Sequence, residues 1–304
     1  MTSGASASAI VEDLMLAGAH ILPPLAPVPA GRLLEKIRST RRFDASLFLS
    51  EAEFDRDPQY TGVNPRPGRN LLEDLADDLA FVEKDARLTE ALRACLGEDF
   101  EILNRKIVCG VPDSEVPDWL RRRIHGNPVN NLGAYVRPEY RDITYFYGID
   151  FHQDLIDFPD RPADFVTLYV YLHPVTEKDA PLFLLKGTHI LGGSIFPHRL
   201  HKLGAGLWRY EDGRGGAMDA AQTVLTGEAG FAALWHACTL HGTQPDAADH
   251  ERISLRYLLA RGRGPAGLDR VNAAIQGPLS LTATRTDLAA DGRAVVRANA
   301  VNEA

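Results

Sequence analysis

The chain has 304 residues, 45% of them hydrophobic and 24% charged, a composition that excludes a disordered chain and supplies a sizeable core. With 33 Lys and Arg against 41 Asp and Glu, the formal charge is -8, so no basic field exists to draw nucleic acid or an anionic membrane surface. No window approaches the roughly eighteen apolar residues of a membrane span, and the N-terminus lacks a basic, then apolar, cleavable leader; a cytoplasmic protein is expected.

Residues 1–8 are small and mostly polar and read as a tail. Ala9 to Leu16 carries Ile10, Val11, Leu14 and Leu16 at helical spacing, and Ala19 to Leu22 reads as a short strand stopped by Pro23-Pro24. Pro29 opens a second helix to Ile37 with Leu33, Leu34 and Ile37 on one side. Residues 50–69 are dense in Asp, Pro, Gly and Asn and predict a long loop. Asn70 then caps a helix running to about Leu96, interrupted near Asp85.

Beyond Gly97 the pattern changes to strand-sized apolar runs: Phe100 to Val108, Ile143 to Ile149, Phe165 to Leu172, Leu182 to Leu185, Phe231 to Trp235 and Ile253 to Leu259. Proline- and glycine-marked turns join most of them with no helix-length segment between. Antiparallel pairing in a barrel or double-sheet jelly roll follows. The expected organisation is one mainly β domain with α, residues 1–304: helices over residues 1–98, a β core over 99–262 and a C-terminal extension over 263–304. Cys95, Cys109 and Cys238 lie far apart without C-x-x-C spacing and read as buried structural thiols. Arg121-Arg122-Arg123 reads as a solvated helix face.

His152-Gln153-Asp154 follows the run Ile143 to Ile149. In an extended segment residues two apart face the same side, so His152 and Asp154 can converge on one point. His241 supplies a third ligand 89 residues beyond His152. Two imidazoles and one carboxylate on one face of Fe(II) leave positions open for a co-substrate and O2, the arrangement of non-haem iron oxygenases. An H-x-D tripeptide alone is weak evidence, because one of ten histidines can form it by chance. Arg252 and Ser254 strengthen it: two apart on one strand face after His241, they offer a guanidinium fork and a hydroxyl to the distal carboxylate of 2-oxoglutarate. Arg256 lies on the same face and is the rival for this role.

From about Ile143 to Leu259 the chain resembles the phytanoyl-CoA dioxygenase family. The resemblance is carried by His152-Gln153-Asp154, Asp179-Ala180-Pro181-Leu182, Gly187-Thr188-His189, His241-Gly242-Thr243-Gln244-Pro245-Asp246 and Arg252. The family's motifs are closer to Asn-Gly-Pro-Leu, Pro-Gly-Ser-His and His-Gly-Ser-x-Pro-Asn, so the chain departs at Asp179, Ala180, Lys186, Thr188, Thr243 and Asp246. The resemblance implies a double-stranded β-helix, a jelly-roll or cupin-like core flanked by N-terminal helices. It implies that His152, Asp154 and His241 bind Fe(II), that Arg252 takes the 2-oxoglutarate carboxylate with Arg256 in support, and that Lys106 corresponds to a residue helping to hold 2-oxoglutarate. His189 is expected to be structural.

The intact Asp154 disfavours halogenation, since related halogenases replace this carboxylate by a small residue. The activity implied is hydroxylation of a small molecule with O2, releasing succinate and CO2; desaturation or epimerisation would use the same metal set. The rival from another class is a non-redox cupin-like isomerase or lyase using Zn(II) or Mn(II), which has no general need for the arginine clamp. His198 and His201 flank a loop that could enter the site, and Gly126 to Arg141 and Arg66 to Asn70 could form a lid. Gly204-Ala205-Gly206 and Arg214-Gly215-Gly216 read as flexible connections, not phosphate loops.

Overall fold

The apolar runs of the C-terminal half alternate little in polarity, so both faces of each strand have to be covered. The computed structural model describes residues 7–58, 70–290, 292–296 and 301. Helix α1 (Ala7–Ala17) leads into strand β1 (Ala19–Leu22), then α2 (Pro27–Thr40) and α3 (Glu51–Arg56). Helices α4 (Ala80–Glu83) and α5 (Ala86–Leu96) precede β2 (Glu101–Gly110), α6 (Asp118–Ile124), β3 (Val129–Asn131), β4 (Thr144–His152), β5 (Phe165–Tyr171) and β6 (Leu182–Leu185). Strands β7 (Arg199–Gly204), β8 (Leu207–Glu211) and β9 (Ala217–Leu225) form a meander, and β10 (Ala232–His236), β11 (His241–Thr243), β12 (Arg252–Ala260) and helix α7 (Gly267–Ala274) complete the elements.

The strands pair in the order β1-β10-β5-β12-β2-β4-β11-β6-β9-β8-β7, with β3 added on β4. Neighbours run antiparallel except β2 and β4, which are parallel. This is the expected jelly-roll core.

Period-two alternation divides its residues between two compartments. Val108, Tyr169, Tyr171, Leu182, Leu184 and Trp235 meet inside the roll. Their sequence neighbours Ile107, Cys109, Leu168 and Val170, with Ile253 and Leu255 of β12, turn outward against Leu14, Leu33, Leu34 and Leu92 of the helices. Each such buried aliphatic side chain contributes on the order of 2 kcal/mol. On β12 the same alternation turns Arg252, Ser254 and Arg256 to the side opposite Ile253 and Leu255.

Several expectations need correction. The helix expected from Asn70 to Leu96 is a chain of short turns before α5: 3-10 turns cover Leu71–Glu73 and Ala76–Leu79, followed by α4. Asn70 does cap, accepting from Leu72 N at 3.1 Å, but its amide also donates to Arg105 O at 2.6 Å, which ties the turn to β2. The break near Asp85 is present, with Asp85 accepting from Leu88 N at 2.9 Å. The glycine connections are hairpin turns in the β7–β9 meander, where Gly206 (φ 66°), Gly213 (φ 77°) and Gly215 (φ 104°) supply left-handed backbone. The expected tail, except Ala7 and Ser8, lies outside the described residues, as do the Gly62 to Gly68 stretch of the long loop and the lid stretch before Asn70.

All three cysteines are buried and unpaired, and burial pushes the Cys95 and Cys238 thiols up to about 12. In α6, carboxylates engage two of the three arginines: Asp118 and Asp113 accept from Arg121, and Asp55 accepts from Arg123 at 2.8 Å. No helix among the described residues is long and apolar enough to cross a membrane.

Candidate metal centre and its cavity

His152 is the last residue of β4 and pairs across the ladder with His241, the first residue of β11. The imidazole centroids lie 4.1 Å apart. This close approach depends on Gly242: a Cβ there would sit 2.8 Å from Ile149 O and 3.2 Å from Phe151 N. Nδ1 of His152 lies 3.0 Å from Asp150 O, and Nδ1 of His241 lies 3.1 Å from Thr239 O. A carbonyl can only accept, so each Nδ1 carries the proton and each Nε2 keeps its lone pair for a ligand.

Asp154 is not on an extended segment as expected; it opens the 3-10 turn Asp154–Asp157. The turn is set by the fully buried Gln153, whose Nε2 donates to Gly192 O at 2.8 Å and Cys238 O at 2.9 Å while Oε1 accepts from Ser194 N at 2.9 Å. The carboxylate still reaches the imidazoles: one ligand atom from each of His152, Asp154 and His241 lies within 4.8 Å of the others. Among the described residues this is the one such group of three able to hold a metal ion.

Asp154 Oδ2 accepts from Trp235 Nε1 at 3.0 Å and from Thr167 Oγ1, and Oδ1 accepts from Arg256 Nη2. Burial alone would raise this carboxyl, but Arg256 and the two imidazoles outweigh burial and hold it well below the usual carboxylate range. Burial lowers both imidazoles, His152 most of all because the neighbouring His241 adds to the effect. A divalent ion requires a carboxylate and neutral imidazoles, and the downward direction at all three groups favours that protonation.

Arg252 is 1% exposed, with its guanidinium 5.7 Å from the Tyr169 ring centroid. Its Nε and Nη1 are buried without hydrogen-bond partners among the described residues. Arg256, four residues along the same strand, is engaged by Asp154 instead. Lys106 pairs in register with Arg256 across β2 and β12; burial, then the Arg256 charge, lowers its ammonium to about 7. Arg252, Arg256, Lys106, His152 and His241 all line one cavity, about 610 Å³ counting the part open to solvent, closed elsewhere by Val129, Phe146, Ile149 and Ile156. Ser254 shares the strand face of Arg252, but it is buried with an unpartnered Oγ and does not line the cavity.

Thr167 and Trp235 sit within apolar runs that read only as core. Arg285 also lines the cavity, from a segment with no periodic signal. Of the proposed lid, Val129 reaches the cavity as part of β3, and Asn127 and Asn130 are buried, so its Val129–Asn131 part is built into the sheet. His198 is half-buried with Nδ1 2.7 Å from Ser194 Oγ, whereas His201 is exposed on β7. His189 is buried between Gly18 and His236, away from the triad.

The sequence model of the phytanoyl-CoA dioxygenase (PhyH) family matches residues 40–254. A curated relative, the probable alpha-ketoglutarate-dependent hypophosphite dioxygenase of Stutzerimonas stutzeri, is 27% identical over 198 residues, 62% of this chain and 53% of the relative. The chain therefore spans about half the length of the curated relative it matches. Among solved structures, the epimerase SnoN in complex with Fe3+, alpha ketoglutarate and nogalamycin RO is 14% identical with a TM-score of 0.51. The alpha ketoglutarate dependent carbocyclase SnoK is 10% identical with a TM-score of 0.52, and each alignment covers 92% of this chain and 96% of the other. At this identity the two structures share the fold.

Proposed function

This chain belongs to the phytanoyl-CoA dioxygenase family, and from that premise we propose that it is an Fe(II)- and 2-oxoglutarate-dependent dioxygenase that hydroxylates a small molecule. The observation that carries the reading is the unpartnered edge of Arg252, buried in the wall of the cavity that His152 and His241 also line. A buried cation with two idle donors costs stability unless an anion meets it. A metal isomerase or lyase would have no use for it.

In this reading His152 and His241 bind Fe(II) through Nε2, because each Nδ1 is committed to a carbonyl. Asp154 supplies the third ligand, held in place by Thr167, Trp235 and Arg256. When bound, Fe(II) and 2-oxoglutarate supply the oxidising chemistry, O2 being reduced as 2-oxoglutarate is decarboxylated to succinate and CO2. Arg252 grips the distal carboxylate in a charge-assisted pair, with the Tyr169 ring beneath it. Lys106 supports the same co-substrate from β2.

Val129, Phe146, Ile149 and Ile156 keep water from the reacting end of the cavity. Hydroxylation asks nothing more of the protein than positioning. Epimerisation would need a hydrogen donor on the far side of the substrate, and among the described residues the lining carries no thiol and a single phenol, Tyr169, under the Arg252 guanidinium. This favours hydroxylation.

The test is spectroscopic and then chemical. Anaerobic protein loaded with Fe(II) and 2-oxoglutarate gives a weak visible charge-transfer band, and succinate forms when O2 and a substrate are admitted. Fully iron-loaded protein that shows neither would overturn the reading.

A further inference from the structure

After α7 the chain runs back along the region between the metal turn and the 192–196 loop. Ala163 N donates to Leu279 O at 2.6 Å, Asp160 N to Leu281 O at 2.8 Å, Gly193 N to Pro278 O at 2.8 Å and Phe196 N to Thr284 O at 2.9 Å. These backbone bonds fix the segment and deliver Arg285 to the cavity wall. Arg285 lies beyond residues 40–254, the stretch matched by the family model.

The Arg285 side chain is held in one orientation. Nε and Nη2 donate to the two oxygens of Asp287 at 2.9 and 2.6 Å, and the guanidinium lies 5.1 Å from the Phe196 ring centroid. Asp287 is itself 1% exposed. A forked pair of this kind sets the guanidinium plane before any ligand arrives. The remaining nitrogen, Nη1, is buried without a hydrogen-bond partner among the described residues, and Asp157 Oδ1 at 3.6 Å is out of hydrogen-bond reach. Leaving a buried donor unmet is unfavourable, and a ligand oxygen would relieve it.

Arg285 belongs to a different end of the cavity from Arg252. The Arg285 guanidinium packs on Phe196 and lies 3.6 Å from Asp157 of the metal turn, whereas that of Arg252 packs on Tyr169. Arg256 at this end is engaged by Asp154, whereas Arg285 meets Asp287 through two of its nitrogens and keeps Nη1 for a ligand. The rest of that wall is the apolar set already named.

We propose that Arg285 anchors the primary substrate, and that this substrate is a small molecule carrying one oxyanion, a carboxylate or a phosphorus oxyanion, on an apolar body that lies against Phe146, Ile149 and Ile156. The inference rests on the oxygenase reading, because it takes Arg252 to be occupied by 2-oxoglutarate. Arg285 is a binding and specificity residue, and the hydrogen-abstraction chemistry is left to the metal end.

The experiment titrates the anaerobic protein, loaded with Fe(II) and 2-oxoglutarate, with butyrate, methylphosphonate and the neutral isostere butyramide, reading perturbation of the visible band. At least one anion binds roughly 10-fold or more tightly than the amide, as one charge-assisted hydrogen bond predicts. Arg285→Gln abolishes that preference and changes 2-oxoglutarate affinity less than about 2-fold, a difference of under 0.5 kcal/mol; Arg285→Lys, which keeps the charge, retains part of it. Butyrate and methylphosphonate separate the carboxylate from the phosphorus source. A normal band with no preference for either anion in the wild-type protein overturns the proposal whether or not the variants fold. So does an Arg285→Gln protein that keeps the preference, or that loses 2-oxoglutarate instead. Absence of the band itself would count against the iron and 2-oxoglutarate reading, and so is distinguishable.

Discussion

Arg256 Nη2 donates to Oδ1 of Asp154, so the carboxylate of the candidate metal triad has a cationic partner within the protein itself. The pair is almost entirely buried, with side-chain exposures of 11% for Arg256 and 1% for Asp154. A buried pair contributes little net stability, but removing one partner strands the other.

Asp154→Asn therefore does two separable things. It removes the carboxylate, so Fe(II) is no longer held and no succinate forms. It also leaves Arg256 uncompensated beside Lys106, which costs metal-free protein about 3 kcal/mol in urea unfolding. Adding Arg256→Met recovers most of that stability without restoring succinate. A single variant as stable as wild type would show that the pair is not what holds Arg256 in place.

Trp235 holds the other oxygen, and its indole ring lies 4.9 Å from the His241 centroid and is stacked with Tyr169 at 5.9 Å. Trp235→Phe keeps an aromatic ring but loses the donor. Groups that orient a metal ligand through a hydrogen bond typically change affinity by about 10- to 100-fold. Chelator competition for Fe(II) should show a loss at the lower end of that range, because Thr167 still donates to the same oxygen.

Arg252→Ala leaves the triad untouched and removes the idle donors. Its effect falls on 2-oxoglutarate, whose dissociation constant rises about 10- to 100-fold, the value of a charge-assisted contact, while Fe(II) affinity measured without co-substrate stays as in wild type. Arg256→Ala should give the converse pattern. An Arg256→Ala protein that lost 2-oxoglutarate and kept iron would move the clamp to Arg256.

The strands with apolar runs are readable from sequence because both of their faces are covered: β5 is buried at every position. The β7 and β8 strands are not, since their patterns are exposed or alternate around charged residues, and nothing in them distinguishes a solvated hairpin from a loop. At the site, the Arg252, Ser254, Arg256 alternation is legible from spacing, whereas His152 and Asp154 converge for a reason other than the expected extended segment, because Asp154 opens a 3-10 turn. What spacing cannot reveal is which of three residues on one face meets a cavity, and here Ser254 does not. Thr167 and Trp235 become partners of Asp154 only through pairing of β10 with β5, which sets Trp235 opposite Thr167. Arg285 arrives from a segment with no period at all.

Asp246 stands where the family pattern has asparagine, and its burial has a measurable consequence. The residue is 1% exposed; Oδ1 accepts from Ala248 N at 3.0 Å, while Oδ2 is buried without a partner among the described residues. Burial pushes the carboxyl up to about 6, Asp179 adds to the rise, and the Ala248 N–H, Arg252 and His250 offset only part of it. A carboxyl raised on folding keeps its proton in the folded chain at a pH where the unfolded chain has lost it. Stability therefore falls as pH rises from about 4 to about 6 and stays at the lower level above that. Asp246→Asn preserves the Oδ1 acceptor and has no charge to bury. It should be the more stable protein at pH 7.5, by on the order of 2 kcal/mol, and lose that advantage by about pH 4. Thermal unfolding of both proteins across that range measures the difference directly. Because the variant also removes a negative charge near Arg252, 2-oxoglutarate should bind no more weakly than to wild type. An advantage that persisted unchanged at pH 4 would assign the effect to the amide's added hydrogen bonds and not to the ionisation of Asp246.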